Sequence, residues 1–173
     1  DGKKLWRFWT VPGQPGVDLD ETTRRAAKTW AGKWWEKGGG GVVWNAIAYD
    51  AENDTVFIGT GSGYPWNRKA RSEDRGDNLF VCSIVALSGK TGAYKWHNQG
   101  VPGETWDFDA AMDIELADLA IGGRMRKTII HAPKNGFFYV IDRRTGELIS
   151  ADPFARVTWA KGIDKATGRP IEA

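Results

Sequence analysis

Apolar residues in this chain come in short alternating runs broken by small polar turns. The fullest example is Ala86-Leu87-Ser88-Gly89-Lys90-Thr91-Gly92-Ala93-Tyr94-Lys95-Trp96, an apolar run, a Thr-Gly turn and a second run. Residues 140–149 repeat the form around Arg144-Thr145-Gly146, and residues 1–6 read as the tail of a third copy, with Trp6 in the place of Trp96. Strand, tight polar turn, strand is a hairpin signal. Hairpins recurring at roughly forty to fifty residues or more indicate propeller blades.

One unit fits between Trp6 and Trp96. Its expected strands are residues 42–49, 55–61, 79–87 and 93–97, with a turn at 50–54. A second unit runs from about residue 113, its clearest strands being 128–131 and 137–141. The expected organisation is a blade end at 1–10, an insertion at 11–41, a blade at 42–97, a loop at 98–112, a blade at 113–155 and the start of a further segment at 156–173. The fold class is therefore all-β, a partial β-propeller of about two four-stranded blades with a short helical insertion.

Within the insertion, residues 18–37 break the pattern. Asp20 to Lys28 carries acids first and bases after, as a short helix favours. Trp30, Trp34 and Trp35 follow, and Gly38 to Gly41 end it. Two readings stand side by side: an excursion fixed to the propeller face by its tryptophans, or a cover over a functional site.

Composition narrows the function. Twenty-four basic and 22 acidic side chains leave a net charge of +2, and no basic stripe stands apart from the acids, which argues against a nucleic-acid binder. The densest basic run, Arg68-Lys69-Ala70-Arg71, is followed at once by Glu73-Asp74-Arg75 and reads as a solvated, salt-bridged loop. Ten tryptophans and 22 glycines suit short strands joined by tight turns. The single cysteine, Cys82, lies in the apolar run 79–85 and reads as a small buried hydrophobe. No Cys-x-x-Cys-His tract is present to attach a c-type haem, no run has membrane-spanning length, and no signal peptide opens the chain. The chain begins in mid-motif and reads as a piece of something longer.

The candidate chemistry lies in Trp106-Asp107-Phe108-Asp109 and in Lys134-Asn135-Gly136-Phe137-Phe138. Two carboxylates spaced i, i+2 in a loop-like tract after Val101-Pro102-Gly103 can converge on one hard cation. A lysine beside them can hold an anionic or quinone oxygen. Together they suggest a metal-assisted redox site.

At these residues the chain resembles the pyrroloquinoline quinone (PQQ)-dependent alcohol dehydrogenases. The resemblance runs over essentially the whole length, through Gly59-Thr60-Gly61, Pro65-Trp66-Asn67-Arg68, Gly76-Asp77-Asn78-Leu79, Lys95-Trp96-His97, Trp106-Asp107, His131-Ala132-Pro133-Lys134-Asn135-Gly136 and Val157-Thr158-Trp159-Ala160. It is closer to the soluble and quinohaemoprotein alcohol dehydrogenases than to the sugar dehydrogenases. The resemblance implies an eight-bladed propeller, of which this chain would be a quarter to a third, that oxidises primary alcohols to aldehydes in the periplasm. It implies further that hydride passes to metal-activated PQQ and electrons to a cytochrome c. A homodimeric parent is one assembly it allows.

Residue by residue, it implies that Trp44 lies under the cofactor, that Lys134 bonds the quinone oxygens, and that Asp107 serves as metal neighbour and as the base for the alcohol proton. Two positions depart from the family pattern. Ser62 stands where an asparagine metal ligand is usual, and a hydroxyl is a weaker donor. Asp109 stands where calcium-type members carry a small or uncharged residue, and an acid there resembles the lanthanide-dependent members. The implied metal set is Asp107, Asp109 and Ser62, holding a lanthanide ion or Ca²⁺; the bland alternative is that Asp109 hydrogen-bonds a loop. The family's metal-binding glutamate and its adjacent-cysteine disulfide would precede Asp1, so the segment by itself is expected to be inactive.

Two competing classes remain. A non-catalytic propeller scaffold for protein binding predicts no acid pair with a lysine, and a decayed homologue is supported by Ser62. A Ser/His/Asp hydrolase is disfavoured because His97 and His131 both sit in strand-like runs without a nucleophile elbow.

Overall fold

Three copies of one turn organise the chain. In the computed structural model, which describes residues 1–17, 19–45 and 47–173, the amides of Gly92, Gly146 and Gly168 each donate to a carbonyl four residues back at 2.8 Å, those of Ser88, Asp142 and Asp164. The Asp142 and Asp164 carboxylates accept from the amide and hydroxyl of the threonine three residues on; at Ser88 the hydroxyl accepts from the Thr91 amide. The third copy, Asp164-Lys165-Ala166-Thr167-Gly168, lies in the stretch expected only to begin a further segment, and its Asp-x-x-Thr-Gly spacing was there to be read. Gly92 and Gly146 are left-handed, at φ +71° and +78°. A Cβ on either would meet the ring of Trp6 or Trp96 at 2.6 and 2.8 Å respectively. The equivalence of Trp6 and Trp96 is thus spatial: each indole lies on the Thr-Gly turn of the next hairpin.

The strands are β1 (Gly39–Gly40), β2 (Ile47–Asp50), β3 (Thr55–Gly59), β4 (Gly63–Tyr64), β5 (Ser83–Ser88), β6 (Tyr94–Gln99), β7 (Ile114–Ile121), β8 (Arg124–His131), β9 (Phe137–Asp142), β10 (Leu148–Pro153), β11 (Ala160–Ile163) and β12 (Pro170–Glu172). They form two four-stranded antiparallel sheets, β2-β3-β5-β6 and β7-β8-β9-β10, and two ribbons, β1-β4 and β11-β12. This is the architecture of a partial β-propeller. One core packs Phe57, Ile84 and Trp96 of the first sheet against Ile114, Ile129, Phe137, Tyr139 and Ile141 of the second, with Ala160 and Ile163 of the third unit. Strand alternation places Val85 and Leu87 on the opposite face, with Ile58 and Phe80.

Several expected boundaries move. Residues 42–45 form no strand, and the first strand of the four-stranded sheet, β2, begins at Ile47; Ala46, inside the expected run, lies outside the described residues, as does Asp18 at the start of the expected excursion. Residues 79–82 are a turn, and β5 begins only at Ser83. Cys82 is buried as expected, but at φ +48° rather than in a strand. Its amide bonds the Gly61 carbonyl, so an apolar run that resembles a buried strand is instead a tight connection in the core. Residues 1–10 contain no strand.

The insertion folds as helix α1 (Glu21–Ala27), capped by Asp20, whose carboxylate accepts from the Thr23 amide at 2.8 Å. Trp30 and Trp34 are buried against Val81, and their indole N–H groups donate to the carbonyls of Leu79 and Pro12, both at 2.7 Å. The tryptophans therefore fix the excursion to the 79–82 turn, and Ala26 packs with Ile58, Val85 and Leu87 of the first sheet. A second helix, α2 (Arg68–Ser72), is capped by Asn67. Here the expectation of a solvated charged run holds for Arg68–Asp74 and Arg75–Glu73 but fails for Arg71, which is 1% exposed.

His97 gives the fold a pH dependence. Burial pushes its imidazole down to about 4, Arg25 adds to this, and Asp77 opposes it. The Tyr94 hydroxyl is 2.8 Å from Nδ1. In the unfolded chain the ring titrates near 6.5, so below that pH the unfolded state binds the extra proton. Stability is expected to be complete above pH 6.5 and to fall by up to about 3 kcal/mol as pH drops towards 4. Denaturant unfolding of the whole protein between pH 4.5 and 7 should show this slope, and His97→Gln should reduce it, leaving the part due to the buried His131.

Candidate functional site

Three connections on one side of the two sheets carry the chemistry: residues 60–62 after β3, residues 100–109 after β6, and residues 132–135 after β8. Each is held by backbone bonds. Thr60, fully buried, donates its hydroxyl to the Phe80 carbonyl at 2.5 Å and exchanges bonds with Ser83. Its carbonyl accepts the Ala110 amide at 3.0 Å, joining the first connection to the second. Asn135 fixes the third: its carbonyl accepts the Trp159 indole N–H at 2.9 Å, and its amide donates to the Tyr139 hydroxyl at 2.7 Å.

These anchors bring four expected residues together. The Ser62 hydroxyl donates to Asp107 Oδ1 at 3.0 Å, and the Ser62 amide donates to Asp109 Oδ1 at 2.7 Å. Lys134 Nζ donates to Asp107 Oδ2 at 3.1 Å and pairs with Asp109 Oδ2. The Asp109 side chain is 5% exposed and both its oxygens are engaged, whereas that of Asp107 is 38% exposed and faces solvent. Burial acts to lower the Lys134 pKa, but the bonds to Asp109 and Asp107 more than offset it and hold the ammonium charged.

Trp44 reaches the same place by way of a glycine. A Cβ on Gly61 would fall 2.1 Å from the Trp44 ring and 3.1 Å from Asp109 Oδ1, so only glycine lets indole and carboxylate approach the strand end together. The indole remains 57% exposed. An open aromatic face thus borders an acid pair and an ammonium.

The sequence offered Gly61 only as part of the Gly59-Thr60-Gly61 motif and Arg71 only as part of a charged run, and Glu104 was not singled out. Glu104 is fully buried; its Oε1 accepts the amides of Phe108, at 3.1 Å, and Trp106. Burial raises its pKa against those bonds. Its place three residues before Asp107, after Pro-Gly, was the available signal. Arg71 donates to the carbonyls of Pro65, Trp66 and Glu104 and to Asn78 Oδ1, and nothing in its charged run distinguishes it.

The histidines are structural, as expected. His131 donates from Nδ1 to the Asp113 carbonyl at 3.0 Å, because a carbonyl can only accept, and burial lowers its pKa. Among the described residues neither histidine bonds a serine.

Carboxylate and hydroxyl oxygens suit a hard cation, and the ammonium now bridging the two acids shows that the pair attracts positive charge. Two carboxylates and one hydroxyl are a partial set: among the described residues no three His, Cys, Asp or Glu side chains cluster as metal ligands. Residues 1–152 match the PQQ family described as glucose/ethanol/alcohol dehydrogenase, β-propeller domain. The chain is 54% identical to quinohemoprotein alcohol dehydrogenase ADH IIB of Pseudomonas putida, over 99% of the chain and 25% of that protein. The crystal structure of the quinohemoprotein alcohol dehydrogenase from Comamonas testosteroni superposes with a TM-score of 0.96 at 51% identity, over 99% of this chain and 26% of that one. A europium-containing methanol dehydrogenase does so with a TM-score of 0.87 at 36% identity, over 99% of this chain and 31% of that one. The chain spans about a quarter of the length of the curated relatives it matches.

Proposed function

This chain belongs to the PQQ glucose/ethanol/alcohol dehydrogenase β-propeller family, and on that footing we propose that the whole protein oxidises primary alcohols to aldehydes. The observation that carries the reading is the convergence of Asp107, Ser62 and Lys134 beside the open face of Trp44. A protein-binding scaffold has no use for a half-exposed carboxylate braced by a hydroxyl and an ammonium.

When bound, PQQ with a hard cation, Ca²⁺ or a lanthanide ion, supplies the two-electron acceptor and the Lewis acid. Asp107, Asp109 and Ser62 would hold the cation, and Trp44 and Lys134 would hold the quinone. The protein's own contributions follow from its geometry. Trp44 offers a flat apolar surface that excludes water from one side of a planar ring. Lys134, kept charged by its two acids, stabilises negative charge on an oxygen placed against it. Asp107 takes the hydroxyl proton of the alcohol as general base. The Ser62 hydroxyl orients the Asp107 carboxylate, while Asp109 fixes the Ser62 amide and Lys134 behind it. A cytochrome c would be the electron acceptor of the whole protein, and the quinohemoprotein names of the relatives support a haem as next carrier. A periplasmic location accords with this cofactor.

The test is activity of the whole apoprotein with PQQ, a dye acceptor and a short primary alcohol, titrated separately with calcium and a light lanthanide. Activity with at least one ion is expected. If a lanthanide alone supports it and Asp109→Ala abolishes it, Asp109 is a ligand to a trivalent ion. Calcium-supported activity that survives Asp109→Ala limits Asp109 to its bond with Ser62. No activity and no retained PQQ with either ion would overturn the proposal.

A further inference from the structure

Asp107 does not hold its own position. It stands at φ +66°, a left-handed conformation uncommon for residues with a β-carbon, though aspartate adopts it more readily than most. The amides on either side of it, Trp106 and Phe108, both donate to Oε1 of Glu104. The Glu104 carbonyl in turn accepts from Nη2 of Arg71 at 2.5 Å. That guanidinium is fixed by Asn78 Oδ1 and by the Pro65 and Trp66 carbonyls. A chain of buried polar groups therefore runs from α2 to the loop that aims Asp107.

Glu104 is compensated only in part, by the nearby Arg71 charge and by two backbone amides. It is fully buried, and its other oxygen, Oε2, has no hydrogen-bond partner among the described residues. A buried acid with one oxygen unsatisfied opposes folding. What it does accomplish is to hold the two amides flanking an unfavourable backbone conformation, and such conformations persist where the surroundings over-determine them.

We propose that Glu104 is a positioning residue, whose buried carboxylate holds Asp107 in the left-handed conformation that directs its side chain to Ser62 and Lys134. The catalytic consequence rests on the role of Asp107 as base proposed above.

The experiment compares Glu104→Met, which removes the acceptor at similar length, with Glu104→Gln, which keeps an acceptor at Oε1, in the whole PQQ-loaded protein. Misplacing a catalytic group by about 1 Å lowers rate by roughly a hundredfold. Glu104→Met is therefore expected to lower kcat for a primary alcohol by about a hundredfold with KM nearly unchanged. Glu104→Gln should stay near the parent. Amide hydrogen exchange at Trp106 and Phe108 should be slow in the parent and in Glu104→Gln, and fast in Glu104→Met. Parental kcat with slow exchange in Glu104→Met overturns the proposal, as does a loss in Glu104→Gln as deep as in Glu104→Met.

A parent that oxidises no alcohol defeats the proposed function without deciding this question. A crystal structure of Glu104→Met then decides it. Asp107 still left-handed and bonded to Ser62 overturns the positioning role, and a displaced Asp107 upholds it. If Glu104→Met does not fold, exchange in the parent decides: fast exchange at Trp106 and Phe108 overturns the proposal, and slow exchange that persists in Glu104→Gln upholds it.

Discussion

Asp107→Asn is expected to lower kcat for a primary alcohol by about 10²–10⁴-fold in the whole holoenzyme, the range for loss of a positioned general base. The substitution is close to isosteric. The Asn oxygen can still accept from either Ser62 or Lys134, which now hold Asp107 at 3.0 and 3.1 Å. What disappears is the capacity to take a proton, together with one negative charge from a cluster of two carboxylates and one ammonium. KM for the alcohol should change far less than kcat, because the carboxylate acts on the proton in flight. Metal and PQQ content measured on the same preparation separate loss of the base from loss of the cofactor. A loss below tenfold with cofactor and metal retained would falsify the assignment of Asp107 as base.

Arg71→Ala is expected to destabilise the protein by about 4 kcal/mol, through the acceptors it leaves behind. The guanidinium donates to Asn78 and to the carbonyls of Pro65, Trp66 and Glu104. Asn78 and Glu104 are fully buried and have no ready route to water, whereas the Pro65 and Trp66 carbonyls are only partly buried. Arg71→Lys should recover little of the loss, because an ammonium is a point charge and cannot span the planar fork. Gly63 belongs to the same arrangement. A Cβ there would lie 2.3 Å from the guanidinium carbon, so the strand end is kept bare to admit the side chain. Denaturant unfolding of both variants checks this; a cost below 1 kcal/mol would show that the acceptors find other donors. The Asp107 loop should loosen as well, because the Glu104 carbonyl is one of those acceptors.

The hairpin repeat and the four-residue site cluster were both legible in the sequence, for different reasons. Thr-Gly turns are local: three residues fix the geometry through hydrogen bonds to a side chain three positions back, so they can be read wherever they occur. Asp107, Asp109 and Lys134 stood out by residue type and spacing, and Ser62 and Trp44 through resemblance to a family whose site uses those positions. The run 79–82 misled because a buried turn and a buried strand carry the same apolar composition, and periodicity cannot separate them over four residues. Arg71 misled for the opposite reason. A basic residue among other charges is ordinarily solvated, and what buries this one is a set of carbonyls contributed by residues 65, 66 and 104.

By itself, then, the sequence determined the local order of this protein: alternating strands, Thr-Gly turns, a capped helix and the residue types from which a redox site can be made. These depend on contacts within a few residues, where spacing along the chain is spacing in space. The tertiary structure alone decided which acid is open and which is buried, that Lys134 bridges both, and that Gly61 is the surface on which Trp44 rests. It also decided that Glu104 and Arg71, the latter unremarkable in its local context, hydrogen-bond to the loop on which Asp107 stands. Most of those relations join residues well separated along the chain, up to 47 positions for Ser62 and Asp109, and their geometry is set by tertiary packing, which no local pattern records.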